Sequence, residues 1–185
     1  ISEVEIFAFA ASIGSLKIDE KDYPKSKGDF GPYNFPSNST DVVEKYLIDL
    51  KKTGDSCGGK ICLMINNCPA GLGEPAFDKL KADLAKAMMS IGACVGVSIG
   101  AGRKLSEMSG QEASQNRGNF GGIEGGITNG HPINLEILIK PTSTVGDKAK
   151  EGRHDPCVVP RVVPVIEAMA KITLADHFLR QNAYQ

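Results

Sequence analysis

Net charge, close-set cysteine pairs and long apolar runs are all scarce in this sequence, and each absence removes a class of function. The 185 residues carry 21 Lys and Arg against 22 Asp and Glu, a formal charge of -1. Such a chain has no overall field to gather a polyanion, so neither nucleic acid nor an anionic membrane is an expected partner. No apolar run reaches the roughly 20 residues of a bilayer-crossing helix, and strand-like sequence stands where a leader would be, so a soluble, cytoplasmic protein is expected. Five cysteines, Cys57, Cys62, Cys68, Cys94 and Cys157, make an odd number without a C-x2-C pair, and only three histidines accompany them. Buried, reduced thiols are expected, with no disulfide framework and no metal site. The first residue is Ile1 rather than methionine, in mid-strand, which suggests the later portion of a longer protein.

What is present reads as one α+β domain portion over residues 1–185, with no internal repeat and no compositional boundary. VEIFAFAASIG from Val4, KICLMIN (60–66), ACVGVSIG (93–100) and INLEILIK (133–140) are β-branched or alternating and read as strands. In the last, Ile133, Leu135, Ile137 and Ile139 share one face, which predicts an antiparallel sheet covered on one side. Three helices are predicted between and after them. Asp41 caps the first in a capping box with Glu44, Val42, Val43, Tyr46, Leu47 and Leu50 form its apolar stripe, and Gly54 ends it. The second starts near Pro75, carries Phe77, Leu80, Leu84, Met88 and Ile91, and stops at Gly92. The third, from Pro160 to about Arg180, is apolar around most of its circumference, which predicts burial on several sides in the centre of an assembly. Its two prolines place the helix proper near Val163. Residues 100–122 and 142–152 have no period and read as loops without helix or strand, mobile at about 101–118 and 144–152.

Three stretches carry chemistry. GNFGGIEGGITNGHPI (118–133) holds six glycines in sixteen residues, able to present backbone amides to an anion or a flat ring, or simply to make tight turns. In KPTST (140–144) an ammonium and three hydroxyls follow a strand, a donor set suited to phosphate and equally to a polar turn. EGRHDPCVVPR (151–161) admits four readings: a metal site, a Cys/His nucleophile, a helix-capping turn, or one wall of a cofactor pocket. A Cys157/His154 pair is disfavoured, because nothing fixes the two side chains on one face across a proline-broken segment. The residues by themselves support a phosphorylated ligand and no more.

These same stretches resemble one family. GRHDPCVVPRVVPVIEAMAKITLADHFLRQ is similar to the signature near the C-terminus of chorismate synthases. NCPAGLGEPAFDKLKADLAKAMMSIGACVGVSIGAG, GGIEGGITNGHPI and IKPTST resemble further motifs of that family, in its order. The resemblance implies long helices sandwiched between antiparallel β-sheets, assembled as a homotetramer. It implies an enzyme of aromatic amino acid biosynthesis, a carbon-oxygen lyase converting 5-enolpyruvylshikimate 3-phosphate to chorismate and phosphate. The implied cofactor is reduced FMN, reduced at the expense of NADPH, which lends an electron and takes back a hydrogen at N5 with no net redox change.

Carried over by position, Asp155 is the catalytic residue near flavin N5. Arg153 binds flavin or substrate. Gly92, Ala93, Gly125, Lys140, Pro141, Thr142, Ser143 and Thr144 line the FMN site. Cys157 and His154 are packing or support, Arg161 and Asp176 either back up a site residue or are structural, and Asp176 needs a partner if buried. The family's Gly-Glu-Ser-His-Gly motif, its second catalytic histidine and several substrate arginines have no counterpart here, and His131, His154 and His177 fill none of those roles. The segment alone is therefore expected to be inactive. The alternative is a non-catalytic flavin- or phosphate-binding module.

Overall fold

The computed structural model describes residues 3–28, 30–150 and 154–184. The expected strands form with small shifts: β1 (Glu5–Ile13), β3 (Gly59–Asn66), β4 (Cys94–Ile99) and β7 (Ile133–Ile139) join the short β2 (Leu16–Lys17) in one antiparallel sheet, ordered β2-β1-β3-β7-β4. A hairpin of β5 (Ile123–Glu124) and β6 (Ile127–Thr128) stands apart. The helices are α1 (Thr40–Thr53), α2 (Leu80–Met89), α3 (Gly110–Gln115), α4 (Asp147–Lys150) and α5 (Val159–Ala183). This is the α+β arrangement expected, with one large antiparallel sheet and its helical layer among the described residues.

Strand alternation decides the layers. Ile61, Leu63 and Ile65 of β3 point to the same side as Ile133, Leu135, Ile137 and Ile139 of β7, because the register pairs Ile61 with Ile137 and Leu63 with Leu135. That side also holds Ala8 and Ala10 and packs against α2 and α5 in the main core. The other side carries Phe7, Phe9, Ala11 and Cys62, covered over part of its area by Ile18, Tyr23 and Phe30. Phe9 stacks on Phe30 with ring centroids 5.5 Å apart and meets Tyr23 edge-on at 5.3 Å.

The start of α5 differs from the proline-based expectation. The helix begins at Val159, so Pro160 falls in its first turn but Pro164 lies inside it. Pro164 has no N–H to give to the Pro160 carbonyl, which would leave a buried-side acceptor unpaired. Asn34 supplies the missing donor: its Nδ2 donates to Pro160 O at 2.8 Å. The Asn34 carbonyl in turn accepts from Ala10 N at 2.7 Å, and the Ala8 N–H donates to Glu167 Oε1 at 2.9 Å. The free edge of β1 is thereby closed and α5 is pinned to it.

Burial around α5 is also less complete than its composition suggests. Val159, Val162, Val163, Ile166, Ala170, Leu174 and His177 are buried, which makes one face at helical spacing. Val165, Ile172 and Leu179 stand exposed at 44%, 66% and 68%, seven residues apart. Asp176 is exposed, so the need for a partner that burial would impose does not arise, and it pairs with Arg180 at 2.7 Å. His177, buried, meets Asp83 Oδ2 at 3.0 Å and ties α5 to α2.

Three smaller expectations fail for local reasons. Helix α1 starts at Thr40 after a 3-10 turn at Ser37–Ser39, so Asp41 sits inside its first turn and makes no cap. Its Gly54 terminator holds, at φ 71°. Helix α2 starts at Leu80 rather than near Pro75, because Phe77 adopts φ 53° and points outward, 95% exposed. The two loop stretches contain short helical pieces; α3 has a capping box between Ser109 and Glu112 that the glycine-rich composition hides.

Asn34 itself adopts φ 52°, so it carries both a turn conformation and the bond to Pro160. Asn34→Ala is expected to lose about 2 kcal/mol in denaturant unfolding, from a lost hydrogen bond and a left-handed alanine. Asn34→Gly, which relieves only the second, is expected to lose about half as much.

Candidate functional site

The turn after β7, residues 140–144, is held on three sides. Lys140 N donates to Ala93 O at 3.0 Å, which fastens the turn to the Gly92-Ala93 corner beyond α2. Ser56 Oγ donates to Thr142 O at 2.8 Å, and Thr142 Oγ1 donates to Asp155 O at 3.0 Å. Gly58 lies flush against the same turn: a Cβ there would run into Ile139 O and the Lys140–Pro141 peptide. The motif that begins at Lys140 and the one that contains Asp155 therefore meet in one corner, just ahead of α5.

Asp155 is clamped from two directions. Its Oδ1 accepts from Cys157 N at 3.3 Å and its Oδ2 pairs with Arg161 Nη1 at 3.2 Å. The carboxylate is partly buried, while Arg161 is largely in solvent. An ion pair so exposed contributes less than about 1 kcal/mol to stability, so its effect is to orient the carboxylate rather than to hold the fold. His154 uses Nε2 as donor to Asp55 O at 2.8 Å, a supporting role that agrees with its position.

Residues 54–58 form the spine of this corner. Gly54 O accepts from Gly146 N at 2.7 Å, Asp55 O accepts from His154, Ser56 bonds Thr142, and Cys57 N donates to Pro156 O at 2.8 Å. Sequence reasoning missed Ser56, Gly58 and the Arg161 partnership with Asp155. The one available signal was the Gly58-Gly59 pair, which marks a place where backbones approach closely.

Of the predicted site residues, Gly92, Ala93, Lys140, Pro141, Thr142, Ser143, Thr144 and Asp155 gather here. Lys140, Ser143 and Thr144 are exposed, and their ammonium and hydroxyl groups are a donor set that suits a phosphorylated ligand. Gly125 does not join them. It sits in the β5–β6 turn at φ 64°, at the end of the molecule where Gly71 N bonds Thr128 O at 2.9 Å and Leu80 N bonds Gly126 O at 2.8 Å. The seven residues of β7, roughly 20 Å of extended chain, separate it from Lys140. Arg153 lies outside the described residues. No group of three or more His, Cys, Asp or Glu side chains able to hold a metal occurs among the described residues.

Two hollows lie elsewhere, on the outer face of the sheet. One of about 240 Å³ is lined by Tyr23, Cys62, Lys104 and Glu136 among others, and a groove of about 650 Å³ adjoins it at Lys60. Four of their charges pair with one another: Lys60 with Glu136 and Lys104 with Glu20, each at 2.7 Å.

The profile of the family described as chorismate synthase matches residues 1–179. The chain belongs to the chorismate synthase family. It is 40% identical over 208 residues to the chorismate synthase of Flavobacterium psychrophilum, covering 100% of this chain and 59% of that protein. It is 41% identical over 179 residues to that of Bdellovibrio bacteriovorus, covering 95% of this chain and 52% of the relative. Among solved structures, a crystal structure of chorismate synthase superposes with a TM-score of 0.76 at 30% identity, over 97% of this chain and 58% of the other. The chain thus spans between half and three fifths of the length of these chorismate synthases. The fold seen here is the chorismate synthase fold over that span. No described helix is long and apolar enough to cross a membrane.

Gly58→Ala is expected to displace the 140–144 turn and to lower stability by about 2 kcal/mol or more, because backbone rather than a flexible side chain blocks the new methyl. Gly92→Ala, where a Cβ meets nothing within 4 Å, is the control and is expected to leave the unfolding midpoint unchanged.

Proposed function

We propose that the protein containing this chain is a chorismate synthase in action as well as in family. It eliminates phosphate from 5-enolpyruvylshikimate 3-phosphate to give chorismate, in the cytoplasm, on the route to aromatic amino acids. The observation that carries this reading is the Thr142 Oγ1 to Asp155 O bond of 3.0 Å, which joins the donor-rich turn to the backbone of the residue that bears the anchored carboxylate. Reduced FMN, kept reduced at the expense of NADPH, supplies a transferable electron and accepts a hydrogen when bound.

The chain's own residues divide the remaining work. Lys140 neutralises phosphate charge, and Ser143 and Thr144 donate hydrogen bonds to it. Pro141 stiffens the turn, while Thr142 is already committed to Asp155 and acts by position. The Gly92-Ala93 corner, tied to Lys140 N, offers backbone against which a flat ring can lie. Asp155, its carboxylate aimed by Arg161 and the Cys157 amide, controls a proton at the ring nitrogen N5. Arg153, by its place in the family motif, faces flavin or substrate.

Two observations favour a homotetramer. Gly125 stands a strand's length from Lys140, so it serves a flavin most simply by approaching that of a neighbouring chain. The exposed row Val165, Ile172 and Leu179 has the spacing of a helix seam and calls for cover.

The test uses the complete polypeptide under anaerobic conditions with reduced FMN and substrate. Chorismate formation is expected. Asp155→Asn should keep the fold and the bound flavin while turnover falls about 100-fold or more. Lys140→Ala should weaken FMN binding by about tenfold or more. Unchanged turnover in Asp155→Asn rejects the catalytic assignment, and flavin binding without chorismate in the unaltered protein favours a binding module instead.

A further inference from the structure

The five cysteines are all buried and free, yet they are not equivalent. Cys62 faces Tyr23 on the outer side of the sheet, and Cys94 lies against the Met89 sulfur and the Gly96 carbonyl. Burial pushes the Cys62 thiol up to about 12 and that of Cys68 up to about 11, which leaves both as unreactive thiols near neutrality. Cys57 and Cys157 differ by meeting each other. They come from segments a hundred residues apart in the chain, brought together where Cys57 N donates to Pro156 O at 2.8 Å. Both side chains are buried in the main core, at 6% and 4% exposure, and each thiol lies near enough to the other to shift its titration. The Tyr46 hydroxyl also reaches Cys57.

We propose that Cys57 and Cys157 form an oxidisable dithiol, closed to a disulfide by hydrogen peroxide. The neighbouring Cys157 thiol holds the Cys57 thiol below the usual range, with help from Tyr46, and is itself raised. Cys57 is therefore the attacking sulfur. Its thiolate displaces hydroxide from peroxide: an S–O bond forms, the O–O bond breaks, and the hydroxide takes up the proton lost from Cys57 to leave as water. The Cys157 sulfur then attacks the Cys57 sulfenic acid: an S–S bond forms, the S–O bond breaks, and the departing hydroxide leaves as water with the Cys157 proton. Two thiols and one peroxide become one disulfide and two waters. Burial selects an oxidant close to water in size over a bulky disulfide such as oxidised glutathione. The cross-link would fasten the 54–58 spine to the segment that carries Asp155, two residues before Cys157. The chemistry itself does not depend on the flavin reading.

The test is to expose the full-length native protein to hydrogen peroxide, quench with acid, and measure intact mass and a peptide map. The expected product lacks two hydrogens per chain, yields a single cross-linked pair containing Cys57 and Cys157, reverts with a thiol reductant and melts at a higher temperature than the reduced form. Cys57→Val, which fills the thiol's volume, and Cys157→Ala should each abolish it; either one that folds suffices. The proposal is overturned if the thiols all survive, if oxygen adds to sulfur without a cross-link, or if the cross-link involves Cys62, Cys68 or Cys94.

Discussion

The Asn34 side chain on the Pro160 carbonyl is the contact on which the rest of this structure turns. A helix with a proline at its sixth residue has one carbonyl in its first turn with no amide to accept from, and an unpaired acceptor there would favour starting the helix later. By satisfying that carbonyl, Asn34 lets α5 begin at Val159 and places the residues before it at a defined height along β1. Because the Asn34 carbonyl and the Glu167 carboxylate also cap the outer edge of β1, helix and sheet edge are registered by the same small set of bonds. Asp155 lies just ahead of the helix start so fixed.

The corner in front of α5 is assembled by backbone and short side chains rather than by long charged ones. Gly54, Asp55, Ser56, Cys57 and Gly58 each bond or abut a residue of the 140–146 or 154–156 segments. Small residues are needed because three chain segments approach within hydrogen-bonding distance, and a single methyl at Gly58 would meet backbone atoms. The result leaves Lys140, Ser143 and Thr144 free to face outward while Thr142 does the joining. That division, one hydroxyl bonded within the fold and two exposed, gives a uniform-looking Ser/Thr turn distinct parts.

Faces left open are as informative as contacts made. Val165, Ile172 and Leu179 form a row on α5, and Phe77 stands out of the loop before α2 with a left-handed backbone. The chain covers 59% and 52% of the length of the two relatives described above, so an apolar row on its longest described helix agrees with a fold whose helical layer lies between two sheets. The outer face of the large sheet differs: four of its charged groups, Lys60 with Glu136 and Lys104 with Glu20, pair within the chain.

Strand and helix identity, the inner face of the sheet, the terminator Gly54 and the family motifs were legible in the sequence because each rests on residues within a few positions of one another. The alternation in residues 133–139 and the helical spacing in residues 162–174 needed no partner to be recognised. The start of α5 was misjudged because it depends on Asn34, distant along the chain, and no local rule announces that a side chain elsewhere will replace a missing amide. The start of α2 was misjudged because Phe77 keeps a backbone angle that its residue type disfavours. By itself the sequence determined which segments fold locally and which motifs they carry. The tertiary structure alone decided that the lysine-threonine turn meets Asp155 while Gly125 lies at the far end of β7, because hydrogen bonds between distant segments, not spacing along the chain, place one loop beside another.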